Sequence, residues 1–332
     1  MKRLGSLLVL FAVFGLVFCV SQDALAAKHR VIFASYFGPT HPNTKAMEFF
    51  KEKLEKESNG AFSVMLKPNN EAGGEEKIME LVKRGALQIA LVGGLTKDDE
   101  PRIAGFEQPF IVDSWEHAKK IYLNDEIQNY TGDYTKKTGA IIMGFVVNGF
   151  RQMSCNFPIE KMEDFKKMKI RSPLSEVFIQ LFKALGTNPT PLPMTELYTA
   201  LETKVVDGQD NPYSTVKAMG WWEVQGYMLE SRHIFSPTSA LVNGKFFNGL
   251  PADMQKLFAD VMKETVQMSW DLSEKDEQES IDFLKSKGIK VIVPDAAFKQ
   301  QMSDASEVVY QWFDKEVPGS KEFRDYCARM KK

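Results

Sequence analysis

From Pro251 to Ser286 the sequence keeps one helical pattern with no glycine or further proline inside it. Met254, Leu257, Phe258, Val261, Met268 and Leu272 recur at helical spacing, and Ile281, Phe283 and Leu284 resume it. Between them Ser273 to Ser280 is almost wholly polar. At 1.5 Å per residue such a helix spans roughly 50 Å, longer than one small domain. A helix apolar at both ends and polar in its middle fits an element that crosses two lobes.

The chain before this helix alternates. His29 to Ser35 predicts a strand, 43–58 a helix with Ala46, Phe49, Phe50 and Leu54 on one face, and Phe62 to Leu66 a second strand. Gly73-Gly74 opens a helix from Glu75 to Arg84, and Leu87 to Val92 is a third strand ending in Gly93-Gly94. Strands alternating with helices give βαβ units and a largely parallel sheet. Right-handed crossovers put the strand ends on one edge, where Ser35-Tyr36, Gly73-Gly74 and Gly93-Gly94 are expected to meet. Those glycines serve either close backbone approach or ordinary turns.

A strong strand runs from Ala140 to Val147, and Phe150 to Met153 carries the chain across the expected hinge. Lys169 to Arg171 is a brief strand that Ser172-Pro173 breaks. A helix from Ser175 to Leu185 follows, then a Pro-rich extended stretch, then a helix from Thr195 to Thr203 with Thr195 as candidate N-cap. His233 to Val242 is a strand returning to the first lobe. Ile289 to Val293 is the last strand, followed by a helix from about Ala296 to Phe313 and a short tail to Lys332. Trp221 and Trp222 read as core or interlobe packing rather than ligand stacking.

The chemistry concentrates in three stretches: Asn148-Gly149-Phe150-Arg151, Lys169-Ile170-Arg171-Ser172-Pro173, and Asp207-Gly208-Gln209-Asp210-Asn211-Pro212-Tyr213. They stand where strands give way to loops, and ligands of open α/β sheets bind beyond the carboxyl ends of the strands. Arginine offers a planar fork of donors matched to a carboxylate or sulfonate. The expected site is a cleft that clamps a small organic anion without reacting it and without a cofactor. Each residue has a plainer alternative. Arg171 on a surface strand edge is one, and Arg151 bracing the hinge through a buried ion pair is another. Asn211 before a proline closes an Asx-type turn in the same sense. Asp207 and Asp210 read as solvated or backbone-capping rather than as a catalytic pair. His41, His117 and His233 lie far apart without a nucleophile motif. G-x-S-x-G, H-E-x-x-H, Walker and dinucleotide glycine patterns are absent, as is any metal-ligand cysteine spacing.

The start of the chain reads as an export signal. Lys2 and Arg3 precede an apolar run from Leu7 to Val20, and Ala24-Leu25-Ala26 is an A-x-A cleavage site. The residues before Cys19, Leu16-Val17-Phe18, are too large for a lipidation site. Cleavage after about Ala26 removes Lys2, Arg3 and Asp23, a net +1, and takes the formal charge from −2 to −3. A near-neutral chain argues against nucleic acid and against a basic membrane-surface module. Cys155 and Cys327 remain after cleavage, and a pair so far apart in a chain this size more often stays free.

Taken together, these motifs resemble the solute-binding proteins of TRAP transporters, the DctP-type family. The resemblance covers essentially the whole mature chain. It rests on Asn-Gly-x-Arg at 148–151, Lys-Ile-Arg-x-Pro at 169–173, Ala-Leu-Gly at 184–186, Glu-x-Tyr-x-Ala-Leu-Glu-Thr at 196–203 and Val-Asp-Gly-Gln-x-Asn-Pro at 206–212. The pattern departs at Asp210, where glutamate is commoner, and at Ala72-Gly73, where Leu-Gly is usual. The resemblance implies an α/β, two-lobed periplasmic-binding-protein-like fold with a hinge, an interlobe cleft and a long helix spanning both lobes. After a signal peptide at 1–26, 27–148 with 237–276 are expected to form lobe I and 149–236 with 277–305 lobe II. Residues 306–332 are expected to form a C-terminal helix and tail. The resemblance also implies periplasmic capture of an organic acid for the small and large subunits of a membrane permease, the chain itself not spanning the membrane. Arg171 looks like the arginine that pairs with the substrate carboxylate, Arg151 like a supporting one, and Asn211 like the orienting amide. Asn148, Gln209, Tyr213, Gly93 and Gly94 complete the expected site. A C4-dicarboxylate is the default ligand, its second carboxylate met by Arg151 or the Gly93-Gly94 amides. A short sulfonate such as isethionate, a sugar acid, a keto acid or an aromatic acid remains open, as does a sensor partner in place of the permease.

Overall fold

The computed structural model describes residues 29–331; the signal-peptide reading of 1–26 lies outside the described residues. Two sheets organise the chain. The first has five strands in the order β2-β1-β3-β10-β4. They are β1 (His29–Ala34), β2 (Phe62–Lys67), β3 (Ile89–Val92), β4 (Ala140–Phe150) and β10 (Phe235–Asn243). The second has six, in the order β11-β9-β5-β8-β6-β7. These are β5 (Gln152–Cys155), β6 (Lys169–Ser172), β7 (Asn188–Pro191), β8 (Gly208–Asn211), β9 (Tyr227–Leu229) and β11 (Lys290–Ile292). The protein is a two-lobed α/β fold, as its alternating pattern requires.

In the first lobe β1 pairs in parallel with β2 and β3, because helices Pro42–Glu57 and Glu75–Lys83 carry each crossover. Helix Pro42–Glu57 buries Ala46, Met47, Phe50 and Leu54, the three- and four-residue spacing of one helical face. β10 returns from the far lobe and inserts antiparallel between β3 and β4. It is buried at all nine positions.

Two backbone crossings lie side by side at the hinge. β4 ends at Phe150 and β5 begins at Gln152, so Arg151 is the joint. The return crossing runs from β9 through Ser231–Ile234 into β10, and Arg151 N donates to Ile234 O at 2.8 Å. The third connection is the long helix, Ala252–Ser286, 35 residues. Phe258, Val261, Met262 and Trp270 join the first lobe's core. Leu284, with Ile281 and Phe283, joins the core around Leu197 and Trp221 in the second. Its polar middle is not a solvated face throughout. Asp276 accepts from Lys217 Nζ at 2.9 Å and from Ser280 Oγ at 2.6 Å. Glu277 accepts from Trp115 Nε1 at 2.8 Å and from Arg232 Nη1 at 3.2 Å. The polar residues wire the helix to both lobes at the level of the hinge.

The C-terminus departs from the expected single helix and tail. Helices Ala296–Ala305 and Glu307–Glu316 are separate, with Ser306 at the break. Val309 and Phe313 of the second pack with Phe178, Leu181 and Phe182 of the second lobe. The expected tail is a helix, Ser320–Met330, whose Phe323, Tyr326 and Cys327 enter the first lobe's core. Three apolar residues amid charges are a weak sequence pattern, and tertiary packing decides the outcome. Thr195 is not an N-cap. It sits inside a 3₁₀ turn, Met194–Glu196, that leads into helix Leu197–Glu202. Trp221 is buried in the second lobe's core, and Cys155 and Cys327 are free and buried in different lobes.

Candidate functional site

The two lobes close over a cavity of about 50 Å³, several times the 10–15 Å³ that a single water requires. The first lobe contributes Tyr36, Glu75, Gly93, Gly94 and Glu107 to its wall. The strands at the hinge contribute Asn148, Arg151, Ser236 and Thr238, and the second lobe Arg171, Ser175, Phe178 and Asn211.

Arg171 is set by β6, where it pairs with Thr190 of β7 one residue before the strand meets Pro173. Its side chain is 5% exposed, and Nε donates to Leu192 O at 3.0 Å. That bond aims the guanidinium fork. The two terminal nitrogens have no acceptor among the described residues. Burial pushes this guanidinium down to about 10, with Arg151 adding to the depression and Asp210 opposing it. It is still a cation at neutral pH. A buried arginine with no ion-pair contact among the described residues is stabilised by any anion that reaches its fork.

Arg151 is the opposite case. Its Nε meets Asp210 Oδ2 at 2.5 Å, and its Nη2 meets Oδ1 at 2.9 Å. The ring of Phe178 lies 4.7 Å from the guanidinium carbon. Burial alone would push the Asp210 carboxyl up. The charge and hydrogen bonds of Arg151, joined by His233, outweigh burial and hold it well below the usual range. Arg151 is therefore committed to a bidentate, buried ion pair at the hinge. Asp210, expected to be solvated or capping, is 0% exposed. Asp207 does cap, accepting from Lys169 N at 2.9 Å.

The same cluster sets Ser231, His233 and Asp210 in line. Ser231 Oγ lies 2.7 Å from His233 Nδ1, and His233 Nε2 lies 3.1 Å from Asp210 Oδ2. Burial lowers the imidazole below its ordinary pKa. A neutral ring that donates from Nε2 to Asp210 accepts from Ser231 at Nδ1. This has the order of a hydrolytic triad, but all three residues are wholly buried and none lines the cavity. A nucleophile needs access to its substrate.

Two acids face the cavity from the first lobe. Glu75 opens helix Glu75–Lys83 behind Gly74, and its Oε1 accepts from Gly93 N at 2.5 Å. Burial pushes its carboxyl up to about 7; Glu76 and Glu107 add to this, while the Gly93 N–H and Arg171 oppose it. Glu107 is 5% exposed and accepts from Ser236 Oγ at 2.9 Å. Its carboxyl is also raised, by burial first, against the pull of Arg151 and the Ser236 bond. The glycine pair makes room for these acids. A Cβ on Gly94 would lie 2.2 Å from Glu107 Oε2, and one on Gly93 would lie 3.0 Å from Glu75 Oε1.

Comparison with known proteins places this architecture. The sequence profile of the bacterial extracellular solute-binding protein family 7, DctP, matches residues 33–316. The chain belongs to that family. A TRAP periplasmic solute-binding protein from Haemophilus influenzae with bound L-gulonate superimposes with a TM-score of 0.87 at 35% identity. The match covers 91% of this chain and 100% of that one. The 2,3-diketo-L-gulonate-binding periplasmic protein YiaO of Escherichia coli is 28% identical over 90% of each chain. The C4-dicarboxylate-binding periplasmic protein DctP of Vibrio cholerae is 28% identical over 83% of each. The protein is a TRAP periplasmic solute-binding subunit. Family-7 proteins are a binding class rather than an enzyme class, and no helix among the described residues is long and apolar enough to cross a membrane.

Of the residues read from the sequence, this family-7 cavity gathers Arg171, Arg151, Asn148, Asn211, Gly93 and Gly94. Gln209 and Tyr213 stand behind it. Gln209 Oε1 accepts from Asn211 Nδ2 at 2.7 Å, and Tyr213 Oη donates to Glu230 at 3.1 Å. Asn148 Oδ1 accepts from Thr215 Oγ1 at 2.7 Å. Sequence reasoning missed Glu75, Glu107, Ser175, Phe178 and Ser236. Glu107 did leave a trace, as a lone acid at the head of the apolar run Phe106 to Val112.

Proposed function

We propose that this subunit captures a small carboxylic acid in the periplasm and passes it to the small and large subunits of a TRAP membrane permease. Arg171 pairs with the ligand carboxylate. The observation that carries this reading is its buried fork, aimed into the interlobe cavity with no acid ion-paired to it among the described residues. Arg151 supports the site through Asp210 rather than gripping the ligand. Asn148 and Asn211 orient the ligand, with Gln209 fixing the Asn211 amide from behind and Tyr213 holding the neighbouring turn. The relatives' ligands, L-gulonate, 2,3-diketo-L-gulonate and C4-dicarboxylates, share a carboxylate. That supports a carboxylic acid over a short sulfonate such as isethionate.

The test is a thermal-shift screen of the exported protein, stripped of co-purified ligand, against dicarboxylates, sugar acids, keto acids, aromatic acids and isethionate. A ligand that binds only the native state raises the melting temperature by mass action. A shift with a carboxylic acid that disappears in Arg171→Ala is expected. A shift of the same size in Arg171→Ala would overturn the assignment, and so would no shift with any acid.

A further inference from the structure

The cavity holds more acid than an anion site needs. Two basic and two acidic side chains line it: Arg151, Arg171, Glu75 and Glu107. Arg151 is neutralised by Asp210. Lys97, whose charge reaches Glu107, is tied to Asp98 Oδ1 at 3.0 Å and Leu174 O at 3.5 Å and does not line the cavity. Once Arg171 holds one carboxylate, no lining cation remains for a second. Two of the donors expected to meet a second carboxylate are engaged, Arg151 by Asp210 and the Gly93 N–H by Glu75, which leaves the Gly94 amide without a cation beside it. A dicarboxylate would therefore turn its far end toward two glutamates.

Hydroxyls meet the opposite reception. A carboxylate accepts hydrogen bonds at both oxygens, and a protonated carboxyl both accepts and donates. Ser175 Oγ lines the same cavity, is buried, and has no hydrogen-bond partner among the described residues. Asn211 has its Nδ2 on Gln209, which leaves its carbonyl oxygen as an acceptor. Buried polar groups are costly unless something pairs with them, and a chain of hydroxyls supplies the missing donors.

We propose that Glu75 and Glu107 make this cavity selective for a polyhydroxylated monocarboxylate, an acid of the aldonate type, by accepting its hydroxyls and repelling a second carboxylate. The proposal rests on Arg171 holding the first carboxylate. Like charge on the unwanted partner gives discrimination by repulsion as well as by fit. A site built to hydrogen-bond hydroxyls also rejects ligands lacking them, by up to roughly 10⁴-fold.

The experiment is calorimetric titration of the exported protein with galactonate, gulonate, succinate and hexanoate. Glu75→Gln, Glu107→Gln and Arg171→Ala are measured in parallel. Wild-type protein is expected to bind an aldonate at least about 100-fold tighter than succinate and hexanoate. Either glutamine variant is expected to narrow the aldonate-to-succinate ratio at least about 10-fold, because it removes a repelling charge. The wild-type ligand series decides the matter even where a variant fails to fold. Succinate binding as tightly as the aldonates, still lost in Arg171→Ala, would overturn this proposal and leave the carboxylate clamp standing. Aldonate binding that survives Arg171→Ala would overturn the clamp itself.

Discussion

The two arginines of the site look alike in sequence, and the structure assigns them opposite energetic roles. The perturbation that separates them is a crossed pair, Asp210→Asn and Arg171→Met. In Asp210→Asn the guanidinium of Arg151 loses its counter-charge where the two side chains are 7% and 0% exposed, so solvent does little to screen the loss. Breaking a buried ion pair from one side costs about 3–5 kcal/mol. At roughly 2–4 °C per kcal/mol, the melting temperature should fall by on the order of 10 °C. Arg171→Met removes a buried cation that has no ion-pair contact among the described residues. Its stability should change by less than about 1 kcal/mol or rise, while affinity falls roughly 30- to several-thousand-fold. Urea unfolding followed by tryptophan fluorescence reads the first quantity at constant m-value, and titration with the acid found by screening reads the second. The reasoning fails if Asp210→Asn costs under about 1 kcal/mol while Arg171→Met costs as much as a broken ion pair.

Two further outcomes follow from the cavity. The Glu75 carboxyl is raised from 4.5 to about 7 in the fold. Between those values the folded chain holds a proton the unfolded chain has released, so its contribution is full below 4.5 and is lost as pH rises through about 7. Ligand-free wild type should lose about 1–3 kcal/mol across that window. Glu75→Gln should flatten the slope, and an unchanged slope in the variant would exclude Glu75 as its source. A ligand that touches both lobes binds the closed form better and shifts the population toward it. Small-angle scattering should show a smaller radius of gyration with saturating ligand, and an unchanged radius would count against closure.

The frame of the molecule was legible because it is written in long, regular patterns. The run from Met254 to Leu284 had to be a two-lobe helix, and the alternation from His29 to Val92 had to be a parallel sheet. Arg171 was legible through its motif at a strand end. What escaped was pairing over distance. Arg151 and Asp210 are 59 residues apart and meet only because β5 lies beside β8. Glu75 looks like an ordinary first-turn acid, and Glu107 stands in the apolar run Phe106 to Val112, which says nothing of what the acid faces. Nothing local distinguishes an acid that faces a cavity from one that faces water. The helix Ser320–Met330 was hidden for the same reason, since its apolar face exists only against the first lobe.

The position of β10 governs when the chain can take shape. β3 ends at Val92, and its neighbour in the sheet begins at Phe235, after the whole second sheet except β11 has been laid down. Among the described residues, β4 has no sheet partner in the first lobe other than β10. A chain emerging from its N-terminus can pair β1 with β2 and β3, but it carries β4 unpaired until residue 243 is free, because the closing contact bridges a long loop. Non-local closure of this kind slows folding relative to local pairing, and it makes completion of the first lobe's sheet wait on a strand that follows all but β11 of the second lobe's.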